Sequence, residues 1–354
     1  MVSYQQLLKK YLDTVAKKEA SDLHITVGYP PMMRVNDALL PMPGEPKLTP
    51  RDTQGLCLAL MSSEQQEKFL KEKEIDFSYA FENDTRFRVN VFFQRGFISS
   101  ALRFIPVKIR TLEELGMPEV MHHFTEVTQG FVLVTGPASH GKSTTLAALI
   151  DEINHKRCDH IVTIEDPIEY IFKPENSVIE QREVNADTRN FGSAMKSIFR
   201  QDPDVIMIGE MRDLETVGTA ITAAETGHLV FATLHTNSAA QTIHRIVDSF
   251  PAEQQNQIRS QISVCLLGII SQRLLPKIGG GLVPACEIMF NNAATANLIR
   301  ENKIHEIPLI IETSTKAGMI SLNKSLAMLV KNKLVSLDTA FSYSINPHEL
   351  EILI

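Results

Sequence analysis

No tryptophan occurs among the 354 residues, and tyrosine only six times. Aromatic platforms interleaved with basic residues are what stack single-stranded nucleic acid, and a formal net charge of −7 argues against the basic half of that pattern as well. Nucleic acid is therefore not an expected partner. Cysteine is equally sparse. Cys57, Cys158, Cys265 and Cys286 stand apart with no C-x-x-C pair, so zinc and dithiol chemistry lack their usual spacing and buried free thiols are expected. No run approaches the ~18 apolar residues of a membrane span, and the start "MVSYQQLLKKYLDTVAKKEASD" has no apolar signal core. A cytoplasmic protein is expected. What remains is an ordinary globular composition, 44% hydrophobic and 22% charged, long enough for two or three domains of ~100–200 residues.

Leu7, Leu8, Tyr11, Leu12 and Val15 recur at helical spacing, and "SDLHITV" then alternates as a half-buried strand does. After a segment broken by prolines, one helical stretch is expected through "RDTQGLCLALMSSEQQEKFLKEK". "IDFSYAF", the turn "END" and "RFRVNVFFQR" read as a hairpin, with "ISSALRFI" pairing next. This predicts a small α+β domain over residues 1–100, followed by a linker, 101–120, that includes "PVKIRTLEELGMP". From residue 131 "FVLV", "HIVTI", "DVIMI" and "HLVFATL" are short unbroken apolar runs separated by helical segments. Strands of that kind are buried on both faces of a parallel sheet, so 121–260 is expected to be an α/β nucleotide-binding core. Residues 261–354 read as a mostly helical extension built from "QISVCLLGIISQRLL", "NAATANLIREN" and "SLNKSLAMLVKN".

"GPASHGKST", residues 136–144, stands between the first apolar strand and a helical run. It matches G-x-x-x-x-G-K-[ST] at Gly136, Gly141, Lys142 and Ser143. Glycines let backbone amides curl around an anion, the helix N-terminus favours negative charge, Lys142 reaches the β and γ phosphates, and Ser143 can hold Mg²⁺. The whole loop, Gly136, Pro137, Ala138, Ser139, His140, Gly141, Lys142, Ser143 and Thr144, is the candidate cradle for ATP. "TIEDPIEY" adds Glu165, Asp166 and Glu169 at the end of a second strand, where open parallel sheets gather ligand groups. "DPDVIMIGEMRD" runs into Gly209 and Glu210, a carboxylate able to orient or deprotonate an attacking water and to hold Mg²⁺ through one. "GHLVFATLHT" sets His228 and His235 at the two ends of another strand, candidates for sensing the γ-phosphate or coupling its loss to movement. Arg86, Arg88 and Arg95 lie outside the sheet, with guanidinium groups suited to neutralising transition-state charge.

In this order the four stretches resemble the secretion ATPase superfamily, and within it the type IV pilus retraction motors: Walker A "GPASHGKSTT", Asp box "TIEDPIEY", Walker B "RQDPDVIMIGEMRD", His box "TAAETGHLVFATLHTNSA". "SDLHIT", "DFSYAF", "RFRVNVF", "FPAEQQNQIRSQIS" and "ISQRLLP" agree as well, so the likeness covers nearly the whole chain. It implies a PAS-like N-terminal domain, a RecA-like P-loop ATPase domain and a homohexamer. ATP and Mg²⁺ are its implied ligands, hydrolysed with Glu210 as the Walker B glutamate, Glu165 as the Asp-box acid, His228 and His235 as the His-box pair, and Arg86 and Arg88 as interdomain arginines. A place at the cytoplasmic face of the inner membrane follows, against a PilC-like platform protein, with PilU- or PilB-like paralogues as further partners. Three positions depart from the pattern. Ala138-Ser139-His140 replaces Thr-Gly-Ser, removing a glycine from the loop. Gly209 stands where generic P-loop enzymes have aspartate, as is common in this superfamily. Thr295 and Ala296 replace Ile and Arg in a motif linked to retraction. The alternatives are an accessory retraction ATPase, another type II or type IV secretion ATPase, a DNA-dependent RecA-like ATPase, and a nucleotide-binding scaffold without turnover.

Overall fold

The computed structural model describes residues 3–18, 20–35, 38–82, 85–105 and 108–354. The chain forms two compact units, one of residues up to Lys108 together with Pro167–Ile171, the other of Ile109–Asp166 and Phe172–Ile354.

The first unit opens with α1 (Tyr4–Lys17), whose Ser3 and Gln6 form a capping box and whose Leu8, Tyr11, Leu12 and Val15 are buried. Six strands follow, β1 (Asp22–Ile25), β2 (Met32–Val35), β3 (Ala38–Pro41), β4 (Glu74–Ala80), β5 (Arg86–Gln94) and β6 (Phe97–Ile105), in the spatial order β3-β2-β1-β6-β5-β4. Every pairing is antiparallel. The expected β4–β5 hairpin is present, and Asn83 and Asp84 of its "END" turn lie outside the described residues. The single helix read before it is in fact two, α2 (Pro50–Ala59) and α3 (Ser63–Glu72), because Ser62 with Gln65 makes a second capping box that restarts the chain. Alternation along β5 buries Phe87, Val89 and Val91 and turns Arg86 and Arg88 to the other face. Arg95 and Gly96, both left-handed at φ 51° and 83°, are the two central residues of the β5–β6 turn. That pair of angles is the hairpin geometry matching strand twist, so Arg95 is placed by the turn.

The second unit carries α4 (His123–Glu126), β7 (Gly130–Thr135), α5 (Lys142–Lys156), β8 (His160–Glu165), β9 (Val178–Glu183), α6 (Phe191–Ile198), β10 (Val205–Ile208), α7 (Leu214–Glu225), β11 (Leu229–Leu234), α8 (Ala239–Asp248) and α9 (Ala252–Cys265). It continues with β12 (Leu266–Pro276), β13 (Leu282–Phe290), α10 (Ala293–Arg300), α11 (Ile307–Thr313), α12 (Leu322–Lys331), α13 (Leu337–Tyr343) and α14 (Pro347–Leu353). Its seven strands lie in the order β13-β12-β7-β11-β10-β8-β9, with only β13 antiparallel to its neighbour. The four apolar runs are β7, β8, β10 and β11. Nearly every residue in them is buried, as strands covered on both faces require. Each Val, Ile, Leu or Phe so placed contributes about 1.5–3 kcal/mol of burial.

Two strands correct the helical reading of the C-terminal region. "QISVCLLGIISQRLL" leaves α9 at Cys265 and continues as β12, and "LVPACEIMF" is β13. An apolar run looks alike in a buried helix and a buried strand. Gly268 is the sign against helix, since a Cβ there would stand 2.5 Å from the Met289 carbonyl and 2.7 Å from the Phe124 ring. β9, an edge strand with mixed polar residues, gave no apolar signal. Three of the four cysteines are buried as expected, with thiols pushed up by burial to about 11 at Cys57 and about 12 at Cys265 and Cys286. Cys158 is exposed, against expectation. No helix among the described residues is long and apolar enough to cross a membrane.

Candidate active site

Strand β7 delivers the chain at the carboxyl edge of the sheet, where residues 136–141 turn into α5. Gly136 has φ 147°, and a Cβ on it would lie 2.3 Å from the Gln272 carbonyl oxygen, so only glycine fits. Gly141 caps α5 at φ 80°. Between them Ser139 takes φ 63°, a conformation that costs a non-glycine residue about 1–2 kcal/mol. The glycine missing from the loop is thus missing at a position that asks for one. Gly141, the N-cap of α5, has no side chain to cap it and none among the described residues does so, whereas Asn190, Asp213 and Ser238 cap α6, α7 and α8. An uncapped N-terminus under a glycine-rich turn fits the phosphates of a nucleotide and, through Ser143 in the first turn, its Mg²⁺.

Lys142 is 8% exposed. Its Nζ donates to the carbonyls of Gly136 at 2.9 Å and Pro137 at 2.8 Å, and lies 3.4 Å from His235 Nδ1. An ammonium can only donate, so Nδ1 accepts and the ring proton sits on Nε2. Nε2 is 3.2 Å from one oxygen of Glu210, and the other oxygen is 2.8 Å from Arg212 Nη2. Arg212 Nη1 is in turn 3.9 Å from Asp166, and Glu210 pushes the guanidinium still higher. The row Lys142, His235, Glu210, Arg212, Asp166 crosses the carboxyl ends of β7, β11, β10 and β8, the ligand edge of an open parallel sheet. Gly209, just before Glu210, leaves room there: a Cβ would press on the Ile164 carbonyl at 3.3 Å and on Glu165 Cα at 3.4 Å. A cavity of about 580 Å³ opens beside this row, lined by Glu210, Arg212, His235, Gln241 and Arg245. Its volume is that of an ordinary ligand pocket.

Glu165 ends β8 and is 5% exposed, accepting from Thr163 Oγ1 at 2.7 Å and Gln181 Nε2 at 3.1 Å. His228 is not brought to the group. It precedes β11, whose first residue Leu229 pairs with Gly130, with its Nδ1 2.9 Å from the Ala223 carbonyl and its ring edge-on to Phe199. The six residues of β11 at ~3.3 Å each separate the two histidines by roughly 20 Å. Arg86 and Arg88 belong to the first unit, where Arg88 Nη1 lies 3.9 Å from Glu169, itself in the 167–171 segment of that unit. Ion pairs so exposed are worth 0–1 kcal/mol at most, about. Sequence reasoning missed two residues. Arg212 could have been found from its opposite charge two places after Glu210. Gln272, a buried amide on β12, carries no signal in one sequence.

A family model described as "Type II/IV secretion system protein" matches residues 2–317. The type IV pilus retraction ATPase PilT of Pseudomonas aeruginosa is 48% identical over 325 residues, covering 92% of this chain and 94% of the relative. The type IV pilus ATPase PilU of the same organism is 38% identical over 347 residues, covering 98% and 91%. The crystal structure of the pilus retraction motor PilT with bound ADP superposes with a TM-score of 0.91 at 47% identity, covering 97% of this chain and 98% of that one. With a family model matched over residues 2–317 and a relative 48% identical along 92% of this chain, the chain belongs to the type II/IV secretion system protein family.

Proposed function

We propose that this chain is an ATPase motor that hydrolyses ATP to drive type IV pilus retraction, and with it twitching motility. The carrying observation is the row from Lys142 through His235 to Glu210. It sets the loop ammonium, a histidine and a doubly held carboxylate side by side at the ends of β7, β11 and β10, which supports a phosphate-directed role for Lys142. Residues 136–144 grip the triphosphate. Ser143 and Glu210 would hold Mg²⁺, which would supply charge neutralisation at the triphosphate. Glu210 aims the attacking water, its two oxygens fixed by His235 and Arg212, and phosphoryl transfer depends chiefly on such positioning. Glu165 is the second acid and Arg86 and Arg88 are the arginines assigned by resemblance, whereas His228, at the far end of β11, has no part in the chemistry. The active form is a homohexamer at the cytoplasmic face of the inner membrane, acting on a PilC-like platform protein.

Phosphate release by wild type and by Glu210→Gln is the test. A fall of about 10²–10³-fold is expected, and equal near-zero rates would leave only a scaffold. A second reading, an accessory retraction ATPase, is favoured by the match to PilU along 98% of the chain. Thr295 and Ala296, the two departures in the retraction-linked motif, are both buried in α10, where Thr295 Oγ1 accepts from Asn292 N at 2.7 Å. Deleting the gene separates the readings: a primary motor leaves cells piliated and unable to retract, whereas an accessory one leaves retraction running when a second ATPase is present.

A further inference from the structure

The partner strand of the phosphate loop is β12. It pairs with β7 only as far as Ser271 opposite Thr135, whose hydroxyls lie 2.8 Å apart, and then runs on to Pro276. Past Ser271 the edge that had faced β7 faces the loop. Gln272 is 2% exposed and uses both ends of its amide: Nε2 donates to the His140 carbonyl at 2.7 Å, and Oε1 accepts from Thr145 Oγ1 at 2.8 Å. Its own carbonyl sits over Gly136. Two residues on, Leu274 N donates to His140 Nδ1 at 2.9 Å. Gly141 fits beneath them, its Cβ position 3.2 Å from Gln272 Nε2 and 3.3 Å from Leu274 Cδ1.

We infer that Gln272 and His140 are positioning residues for nucleotide binding, a clamp by which β12 holds the phosphate loop in its binding shape. This deepens the nucleotide-site reading and rests on it. The need for a clamp comes from Ser139, whose left-handed φ of 63° is a strain that the loop would otherwise relax. An amide that bonds the loop with one end and the first turn of α5 with the other fixes the loop relative to the helix. Neutral His140 is required, because Nδ1 must accept from an N–H. Burial, Lys142 and Arg273 keep the imidazole below its usual 6.5, which preserves that form. The neighbouring Arg273 donates to the Tyr343 carbonyl at 3.0 Å, so the strand that holds the loop is also tied to the C-terminal helices.

The experiment measures Mg·ADP affinity by calorimetry, and KM and kcat for ATP, in the full-length protein. Gln272→Glu keeps the acceptor for Thr145 and loses the donor to His140; Gln272→Ala loses both. Both are expected to raise the Mg·ADP Kd and the ATP KM by about tenfold, equivalent to about 1.4 kcal/mol, with KM rising by more than kcat falls. His140→Asn can still accept through Oδ1 and does not titrate, whereas His140→Ala cannot accept. The ratio of wild-type to His140→Asn Kd is expected to stay flat above pH 6.5 and to rise below it, and His140→Ala is expected to bind more weakly than His140→Asn. Wild type that binds no Mg·ADP would sink the nucleotide-site reading itself. Wild type that binds, with Gln272 variants of equal affinity, or with KM and kcat changing together in step with a lowered melting temperature, would overturn the clamp alone.

Discussion

Replacing Gly136 by alanine is the sharpest perturbation of the loop, because two separate costs meet at one atom. Its φ of 147° is closed to side chains, which costs about 1–3 kcal/mol. The new Cβ would also stand 2.3 Å from the Gln272 carbonyl oxygen. That oxygen is backbone of a strand hydrogen-bonded to β7 on one side and β13 on the other, so it yields only by shifting the sheet. Overpacking of this kind adds about 1–3 kcal/mol. Gly227 supplies the control: φ is 110° and nothing lies within 4 Å, so alanine there meets the conformational cost alone. At about 2–4 °C per kcal/mol for a unit of this size, calorimetry should place Gly136→Ala several degrees below Gly227→Ala. Mg·ADP at a hundredfold excess over Kd stabilises wild type by about 2.7 kcal/mol, and the same addition should leave Gly136→Ala unmoved. Should the two variants melt together, or should Gly136→Ala keep the full nucleotide shift, the account of the loop is wrong.

Arg212→Ala removes one of the two groups that hold Glu210 and is expected to lower kcat about tenfold in a phosphate-release assay, with a smaller change in KM. Glu287 is buried on β13 and accepts from Ala239 N at 2.7 Å. Burial pushes its carboxyl above the usual 4.5, although the Ala239 amide and Arg273 pull the other way. A carboxyl raised on folding contributes stability that is present below 4.5 and lost as pH rises through the folded value. The melting temperature of Glu287→Gln minus that of wild type should therefore grow between pH 4.5 and pH 8, and a difference that shrinks over that range would contradict the burial argument. Ellman's reagent should read one thiol in the native protein, Cys158, and all four in denaturant; modification of Cys286 at a comparable rate would mean that β13 opens readily.

Local chemistry was legible wherever one stretch of chain carries its own instructions. The phosphate loop and the four buried strands depend on residues adjacent in sequence, and so does the Ser62–Gln65 cap, which was passed over inside a helical stretch. β12 was misread because its apolar run has no period that distinguishes strand from helix, and only the contacts of Gly268 with Phe124 and Met289 exclude a helix. His228 and His235 look alike in "GHLVFATLHT". A parallel strand sends one to each edge of the sheet, and the direction of β7 beside it decides which one meets Lys142.

By itself, then, the amino-acid order determined the phosphate-binding turn, its lysine, the carboxylate two strands away and the family pattern that joins them. Tertiary structure alone decided which groups hold that carboxylate, and that β12 supplies Gln272 and the Leu274 amide to the loop. The contacts of β12 with the loop join residues more than a hundred positions apart, through backbone groups that every residue possesses and through one unremarked glutamine. Strand order and register bring them together, and neither is written in any local stretch of the chain.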